Sequence, residues 1–252
     1  MSTSAKRARQ KANKTKSLAT GQVVVGWLNP GDVKARFMES VLDLVLYDSA
    51  HNKRLGGGGG YLSWKSSANV SHGRNEMCNM LLDHPGADWL LMLDSDMTFE
   101  ADLLDKLMAA ADPVEAPIVG GLCFGYVDGE TAHAATLYGH FDVETGVIER
   151  YNVWPEDKLF KVMATGAACL LIHRSVLEKI RDHGFSKAYP FFQEGEINGH
   201  RVGEDITFCL RAGVAGFPVF VHTGVQLGHV KNVVLNTETY YAQFSKEALN
   251  DA

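Results

Sequence analysis

Three places in this 252-residue chain carry side chains whose types and spacing suit chemistry. Asp94-Ser95-Asp96 follows the most apolar run of the sequence, Trp89 to Leu93. Two carboxylates separated by one residue in a loop can converge on a hard divalent cation, Mg²⁺ or Mn²⁺, through oxygen ligands. The same pair can instead be a helix-capping aspartate beside a surface one. Glu204-Asp205 opens a helical pattern, where acids also gain by opposing the helix macrodipole. His229 sits between Gly228 and Val230, and alone it reads more readily as structural than as a ligand. A fourth place is weaker: Gly56 to Gly60 is conceivable as a phosphate cradle, but no Lys-Ser/Thr follows in the spacing of a phosphate-binding loop, so it reads first as a mobile loop.

These residues need elements to hold them. Val23 to Leu28 reads as a strand ending at Asn29-Pro30-Gly31, followed by helical spacing at Val33, Phe37, Val41, Leu44 and Val45. Tyr61 to Trp64 reads as a strand. Ser71 is placed to cap a helix that His84-Pro85-Gly86 stops. The run into Asp94 is apolar on both alternate faces, as in a central parallel strand. Thr98 is placed to cap the next helix, with Leu103, Leu104, Leu107 and Met108 on its buried face. Ile118 to Phe124 and Ala168 to Ile172 read as further strands, Ser175 to Asp182 as a helix ended at Gly184, and Glu204 to Ala212 as one stopped by Gly213. Pro218 to His222 alternates as a strand. Between 126 and 160 shorter, more polar segments, with turns at Asp128-Gly129 and Glu144-Thr145-Gly146, read as an insertion beside the main sheet. Strand-helix repetition predicts an α/β fold with an open, mostly parallel sheet and helices on both faces. Ligands of such sheets bind beyond the C-terminal strand ends, where Asp94 and Asp96 lie.

Composition narrows the class. With 46% hydrophobic residues and a net charge of −6, the chain can bury a sizeable core. Its apolar runs are too short to cross a bilayer, and no apolar leader follows the basic start, so the expected setting is cytoplasmic without membrane insertion. Residues 1–31 hold Lys6, Arg7, Arg9, Lys11, Lys14 and Lys16 and no acid. Residues 1–21 read as a disordered basic tail, either idle or holding a polyanion such as DNA. Cys78, Cys123, Cys169 and Cys209 are widely spaced among apolar neighbours and read as buried free thiols in a reducing compartment.

Two enzyme families bear on the aspartates. Leu93-Asp94-Ser95-Asp96-Met97-Thr98 resembles the first motif of the HAD-type phosphatases, in which the first aspartate becomes a phosphoryl-enzyme. Those enzymes also need a later lysine and acidic pair, and Glu204-Asp205 is the only pair in place. The fuller resemblance is to GT-A glycosyltransferases, in particular small family-2-like enzymes of bacteria and phages. It is carried in order by Gly26 to Pro30, Gly73-Arg74-Asn75, the Asp94-Ser95-Asp96 motif, Ala164 to Cys169, Gly203 to Cys209 and Gly228-His229-Val230. These span residues 22 to 231 as a single domain, with 232 to 252 a C-terminal extension bearing Tyr240, Tyr241 and Phe244 at helical spacing.

The resemblance implies transfer of a sugar from a nucleotide-diphosphate donor to a hydroxyl acceptor, on a protein, a glycan or a modified DNA base. It implies that Asp96 ligates the metal directly, with Asp94 beside it on metal, metal water or ribose, and that His229 is a further ligand. Imidazole favours Mn²⁺ over Mg²⁺. It makes Asp205 the general base of an inverting reaction and lets Glu204 bind acceptor or orient the loop. Pro30, Arg74, Asp94, Ser95, Thr165 and Gly166 become donor-binding residues, with Arg74 pairing the diphosphate bidentately unless it is merely an exposed helix arginine. A tryptophan common before the Glu-Asp pair is replaced here by Tyr189-Pro190-Phe191-Phe192. A non-catalytic sugar-nucleotide-binding module would keep the pocket without needing Asp205 or the metal.

Overall fold

The computed structural model describes residues 22–55, 61–65, 69–126, 133–142 and 144–232, together with Thr237. The basic tail, the Gly56–Gly60 loop, the Asp128-Gly129 turn and the aromatic residues of the C-terminal extension lie outside the described residues.

The chain runs β1 (Val23–Asn29), α1 (Ala35–His51), β2 (Tyr61–Lys65), α2 (Val70–Asp83), β3 (Trp89–Asp94), β4 (Met97–Thr98), α3 (Leu103–Ala110) and β5 (Ile118–Leu122). Short strands follow: β6 (Phe124–Tyr126), β7 (His133–Ala135), β8 (Leu137–Phe141), β9 (Ile148–Arg150), β10 (Leu159–Val162) and β11 (Ala164–Thr165). The last part is β12 (Cys169–His173), α4 (Arg174–His183), β13 (Gly195–Ile197), β14 (His200–Val202), α5 (Glu204–Val214), β15 (Val219–Gln226) and β16 (Gly228–His229).

One seven-stranded sheet has the order β10-β15-β5-β12-β3-β1-β2. Five strands share a direction, while β12 and β10 run against their neighbours. Of the insertion expected over residues 126 to 160, β7, β8 and β9 pair outside that sheet, with β6 and β11, whereas β10, which starts at Leu159, joins the main sheet as its edge strand. Among the described residues no helix is long and apolar enough to cross a membrane.

Both faces of the sheet are covered, which is why its strands are apolar at consecutive positions. Leu90, Met92, Leu170 and Ile172 pack towards Met77, Leu81, Leu177 and Phe208 of α2, α4 and α5. On the other face Trp89, Leu91, Leu93 and Leu171 meet Phe37, Leu44, Leu104 and Leu107 of α1 and α3. The parallel register sets Leu28 beside Asp94, so the ends of β1 and β3 open on one edge. The Asp94 amide donates to the Ala168 carbonyl (3.0 Å), closing the strand against the turn before β12.

Several helix boundaries differ from expectation. Asn69, not Ser71, caps α2: its side chain accepts from the His72 amide at 2.9 Å. Thr98 caps nothing, because it is drawn into β4 opposite Gly228. Consequently α3 starts only at Leu103. Gly213 does not stop α5, which continues to Val214. Gly184, with φ of +69°, does end α4 as expected. At the start of α4, Arg174 donates to the carbonyls of Leu81, Leu82, His84 and Ala87, satisfying backbone acceptors at the end of α2.

All four cysteines are free and buried, as expected. Burial pushes the Cys169 and Cys209 thiols up to about 12, which keeps them protonated and poorly nucleophilic.

Candidate functional site

A cleft of about 390 Å³ opens at the ends of β1 and β3 and is lined by Leu28, Pro30, Lys34, Arg74, Asp94, Ser95 and Asp96, with Asp32 and Val70. Pro30, Arg74, Asp94 and Ser95, all expected donor-binding residues, therefore share one space. The chain is held there by backbone register and by the Gly31 amide, which donates to Asn29 Oδ1 at 2.9 Å.

The expected role of Arg74 changes on inspection of its partners. The side chain is buried and its two terminal nitrogens are engaged, Nη2 by Asp94 Oδ1 at 2.8 Å and Nη1 by Glu204 Oε1. Its Nε is buried without a partner among the described residues. Burial works against the guanidinium's charge, but Asp94 and Glu204 outweigh it and hold the group more firmly protonated than usual. Arg74 is thus neither an exposed helix arginine nor a free diphosphate fork. It joins the end of β3 to the start of α5.

That junction fixes the Glu-Asp pair. Glu204 and Asp205 occupy the first turn of α5 behind Gly203. A Cβ at Gly203 would lie 2.9 Å from Asp205 Oδ1, so glycine leaves room for the carboxylate. Asp205 Oδ1 accepts from the Ile206 amide at 2.8 Å. Burial raises the Asp205 carboxyl above the ordinary carboxylate range; neighbouring Glu204 adds to the rise and Arg74 opposes it. A carboxylate of raised pKa is a stronger base.

Asp96 faces a different set of groups. A two-residue antiparallel ladder, β4 with β16, sets His229 opposite Met97. The Val230 amide donates to the Asp96 carbonyl at 2.8 Å. The ladder is tight at Gly228, where a Cβ would lie 2.5 Å from Thr98 Oγ1. In consequence His229 Nε2 stands 2.9 Å from Asp96 Oδ2, with Lys231 Nζ 3.2 Å from the same oxygen. His229 Nδ1 is 2.8 Å from the Phe124 carbonyl. A carbonyl only accepts, so Nδ1 carries a proton there. Nε2 then either carries a second proton or aims a lone pair at a carboxylate, an arrangement that needs a cation. The Asp96 hydrogen bond raises the His229 pKa against the effect of burial. Burial alone would raise the Asp96 carboxyl, but His229 and then Lys231 bring it below its ordinary value.

The three-ligand metal grip is not assembled. Among the described residues no group of three or more His, Cys, Asp or Glu side chains is arranged for a metal ion. Asp94 is turned to Arg74, which leaves Asp96 and His229 as a pair. That pair still suits a cation: adjacent ligands of an octahedral ion with bonds of ~2.1 Å are about 3 Å apart, and one carboxylate with one imidazole is a donor set that Mn²⁺ accepts.

Thr165 and Gly166, expected to line a sugar pocket, are buried. The Thr165 hydroxyl has no partner among the described residues, and a Cβ at Gly166 would meet Thr136 at 3.3 Å. Phe191 and Phe192 are both core residues, Phe192 stacked on Phe208 with centroids 4.4 Å apart. Asn75 and Arg211 bind the backbone of this segment from two sides. Neither ring is available to a sugar. A second cleft of about 420 Å³ is lined by His229 together with Phe124, Tyr126, His133, Leu227 and Lys231. Lys34, Phe124 and Lys231 were missed in the sequence; the one signal for Lys231 was its position two residues after His229.

No protein-family model matches the sequence, and no curated protein matches it. Solved structures do. The crystal structure of A197 from STIV is similar with a TM-score of 0.52 at 18% identity, over 84% of this chain and 86% of that one. The crystal structure of GalNAc-T7 with UDP, GalNAc and Mn²⁺ is similar with a TM-score of 0.57 at 12% identity, over 86% of this chain and 45% of that one, so this chain spans under half of GalNAc-T7. At these identities the likeness is one of fold, and the fold is GT-A-like.

Proposed function

We propose that this chain is a metal-dependent glycosyltransferase that moves a sugar from a nucleotide-diphosphate donor to a hydroxyl acceptor. One observation carries the reading: Arg74, Asp94 and Asp96 line one cleft, and ion pairs tie Arg74 to Asp94 and to Glu204 of the Glu204-Asp205 turn, and Asp96 to His229. The phosphatase reading is weaker, because Asp94 is engaged by Arg74 instead of standing free as a nucleophile.

In this reading the donor lies in the cleft beside Pro30, Arg74, Asp94 and Ser95. Asp96 and His229 would hold Mn²⁺, or Mg²⁺, and the ion would supply Lewis-acid stabilisation of a departing diphosphate. Asp205 takes the proton of the acceptor hydroxyl as that oxygen bonds to the sugar's anomeric carbon. The bond from that carbon to the diphosphate oxygen breaks, and its electron pair leaves on the phosphate. This is an inverting displacement. Glu204, held by Arg74, positions the turn that presents Asp205. The acceptor hydroxyl is carried on a protein, a glycan or a modified DNA base.

The test is transfer or donor hydrolysis with Mn²⁺, comparing wild type with Asp96→Ala, His229→Ala and Asp205→Asn. Loss in all three supports the reading. Full activity in the first two removes the metal assignment, and donor binding without any turnover leaves a sugar-nucleotide-binding module.

A further inference from the structure

On the nucleotide-sugar reading above, we propose that Lys34 and Lys231 form the diphosphate clamp of the cleft, and that Lys231 passes from Asp96 to phosphate when a cation takes its place. The need for such a clamp follows from the partners of Arg74. Its guanidinium is shared between Asp94 and Glu204, so that cluster is net negative before any ligand arrives. Asp32 and Asp96 also line the cleft, Asp96 with His229 and Lys231 as its partners. A multiply charged diphosphate requires compensating positive charge there, since like charges in a partly desolvated cleft repel strongly.

Among the described residues lining the donor cleft, the cations are Arg74 and Lys34. Lys34 binds no carboxylate among the described residues: its Nζ donates to Asn232 Oδ1 at 2.9 Å. Binding phosphate therefore breaks no ion pair of Lys34 among them. Lys231, next to Asn232 in the chain, reaches the cleft through its contact with Asp96, one of the lining residues.

Both segments are tied by backbone to the aspartate motif itself. The Lys34 amide donates to the Ser95 carbonyl at 3.2 Å, and the Val230 amide to the Asp96 carbonyl at 2.8 Å. Two lysines almost 200 residues apart in sequence are thus held beside Asp94-Ser95-Asp96 by main-chain bonds of their segments, and the Lys34 side chain meets the residue that follows Lys231. A lysine ammonium is a compact charge on a flexible stem, suited to changing partner. With a divalent ion on Asp96 and His229, the Lys231 ammonium is repelled from Asp96, and the diphosphate is the acceptor within its reach.

Calorimetric titration with UDP, GDP, ADP and inorganic pyrophosphate, each with Mg²⁺ or Mn²⁺, tests this on the full chain. For whichever probes bind the wild type, Lys34→Met and Lys231→Met should each weaken binding about tenfold, the size of one charge-assisted hydrogen bond. Lys34→Arg and Lys231→Arg should recover most of it. A second readout uses Mn²⁺ alone: Lys231→Met should bind the ion more tightly than wild type, because a competing cation has gone, and Lys34→Met should not. Both side chains are at the surface, and unchanged thermal midpoints would show that the variants fold. Equal diphosphate binding by wild type and both methionine variants overturns the clamp and leaves the glycosyltransferase reading standing. A wild type that binds none of the probes overturns both.

Discussion

Asp94 and Asp96 are separated by a single residue yet belong to two different kinds of charge cluster. Asp94 faces Arg74, a buried guanidinium whose planar fork spans two carboxylates from distant elements. Asp96 faces His229 and Lys231, in a setting about a third open to solvent on the carboxylate and lysine sides. A buried, doubly paired arginine is expensive to disturb, since removing it leaves the largely buried Glu204 carboxylate, and the more open Asp94, without their shared partner. Half-exposed ions exchange partners at little cost, because water screens every intermediate arrangement. The contrast assigns the first cluster to fixing geometry and the second to exchanging ligands.

The largest expected effect comes from breaking the buried cluster. Arg74→Met should lower the free energy of unfolding by about 3–5 kcal/mol, read by urea denaturation, since Asp94 and Glu204 lose their shared partner. A loss under about 1 kcal/mol would place Arg74 with the exchangeable groups and dissolve the contrast.

Asp96→Ala and His229→Ala should show the reverse pattern. Their stability should change by no more than about 1 kcal/mol. Transfer, measured with the donor that titration identifies, should fall by about 10²–10³-fold, the size of losing one electrostatic stabiliser of the leaving group. A variant that loses stability and activity in proportion would mean that this cluster is structural after all.

The next effect is steric and sharpens the comparison at the ladder that delivers His229. Gly228→Ala puts a Cβ against Thr98 Oγ1, and overpacking of this kind costs about 1–3 kcal/mol. Adding Thr98→Ala removes the obstructing hydroxyl, so the double variant should recover both stability and Mn²⁺ binding. Additive losses in the double-mutant cycle would mean that the two residues do not meet.

The sequence made some of this legible and hid the rest for physical reasons. Trp89 to Asp94 was readable because a strand covered on both faces is continuously apolar and its end is marked by acid. The direction of β12 was not, since an apolar run is the same read either way. Thr98 looks like a helix cap because the hydroxyl signal is local, whereas its real partner, Gly228, is 130 residues away. Arg74 was placed in the right helix, but the side of α2 that it occupies is decided by Glu204, also 130 residues distant. His229 could be linked to Asp96 only through the order of several motifs, because no local pattern connects residues so far apart. Lys34 and Lys231 had no signal beyond proximity to those motifs.

The smallest effect separates Asp205 from both clusters through its titration. Burial raises its folded carboxyl above the unfolded value, with Glu204 adding and Arg74 opposing. A group so shifted favours the folded state when protonated, and this contribution is complete below the unfolded pKa and lost as pH rises through the folded one. At neutral pH the wild type therefore carries an opposed charge that Asp205→Asn lacks. The variant should be slightly more stable than wild type near pH 8, with the difference vanishing as pH falls to about 4, measured by urea midpoints across that range. Transfer by the wild type should fall on the acid side as Asp205 protonates, with a limb above the ordinary carboxylate range, while the variant is inactive throughout. An Asp205→Asn protein destabilised at pH 8 and equal to wild type in turnover would make this carboxylate a helix-terminus stabiliser and leave the reaction without its base.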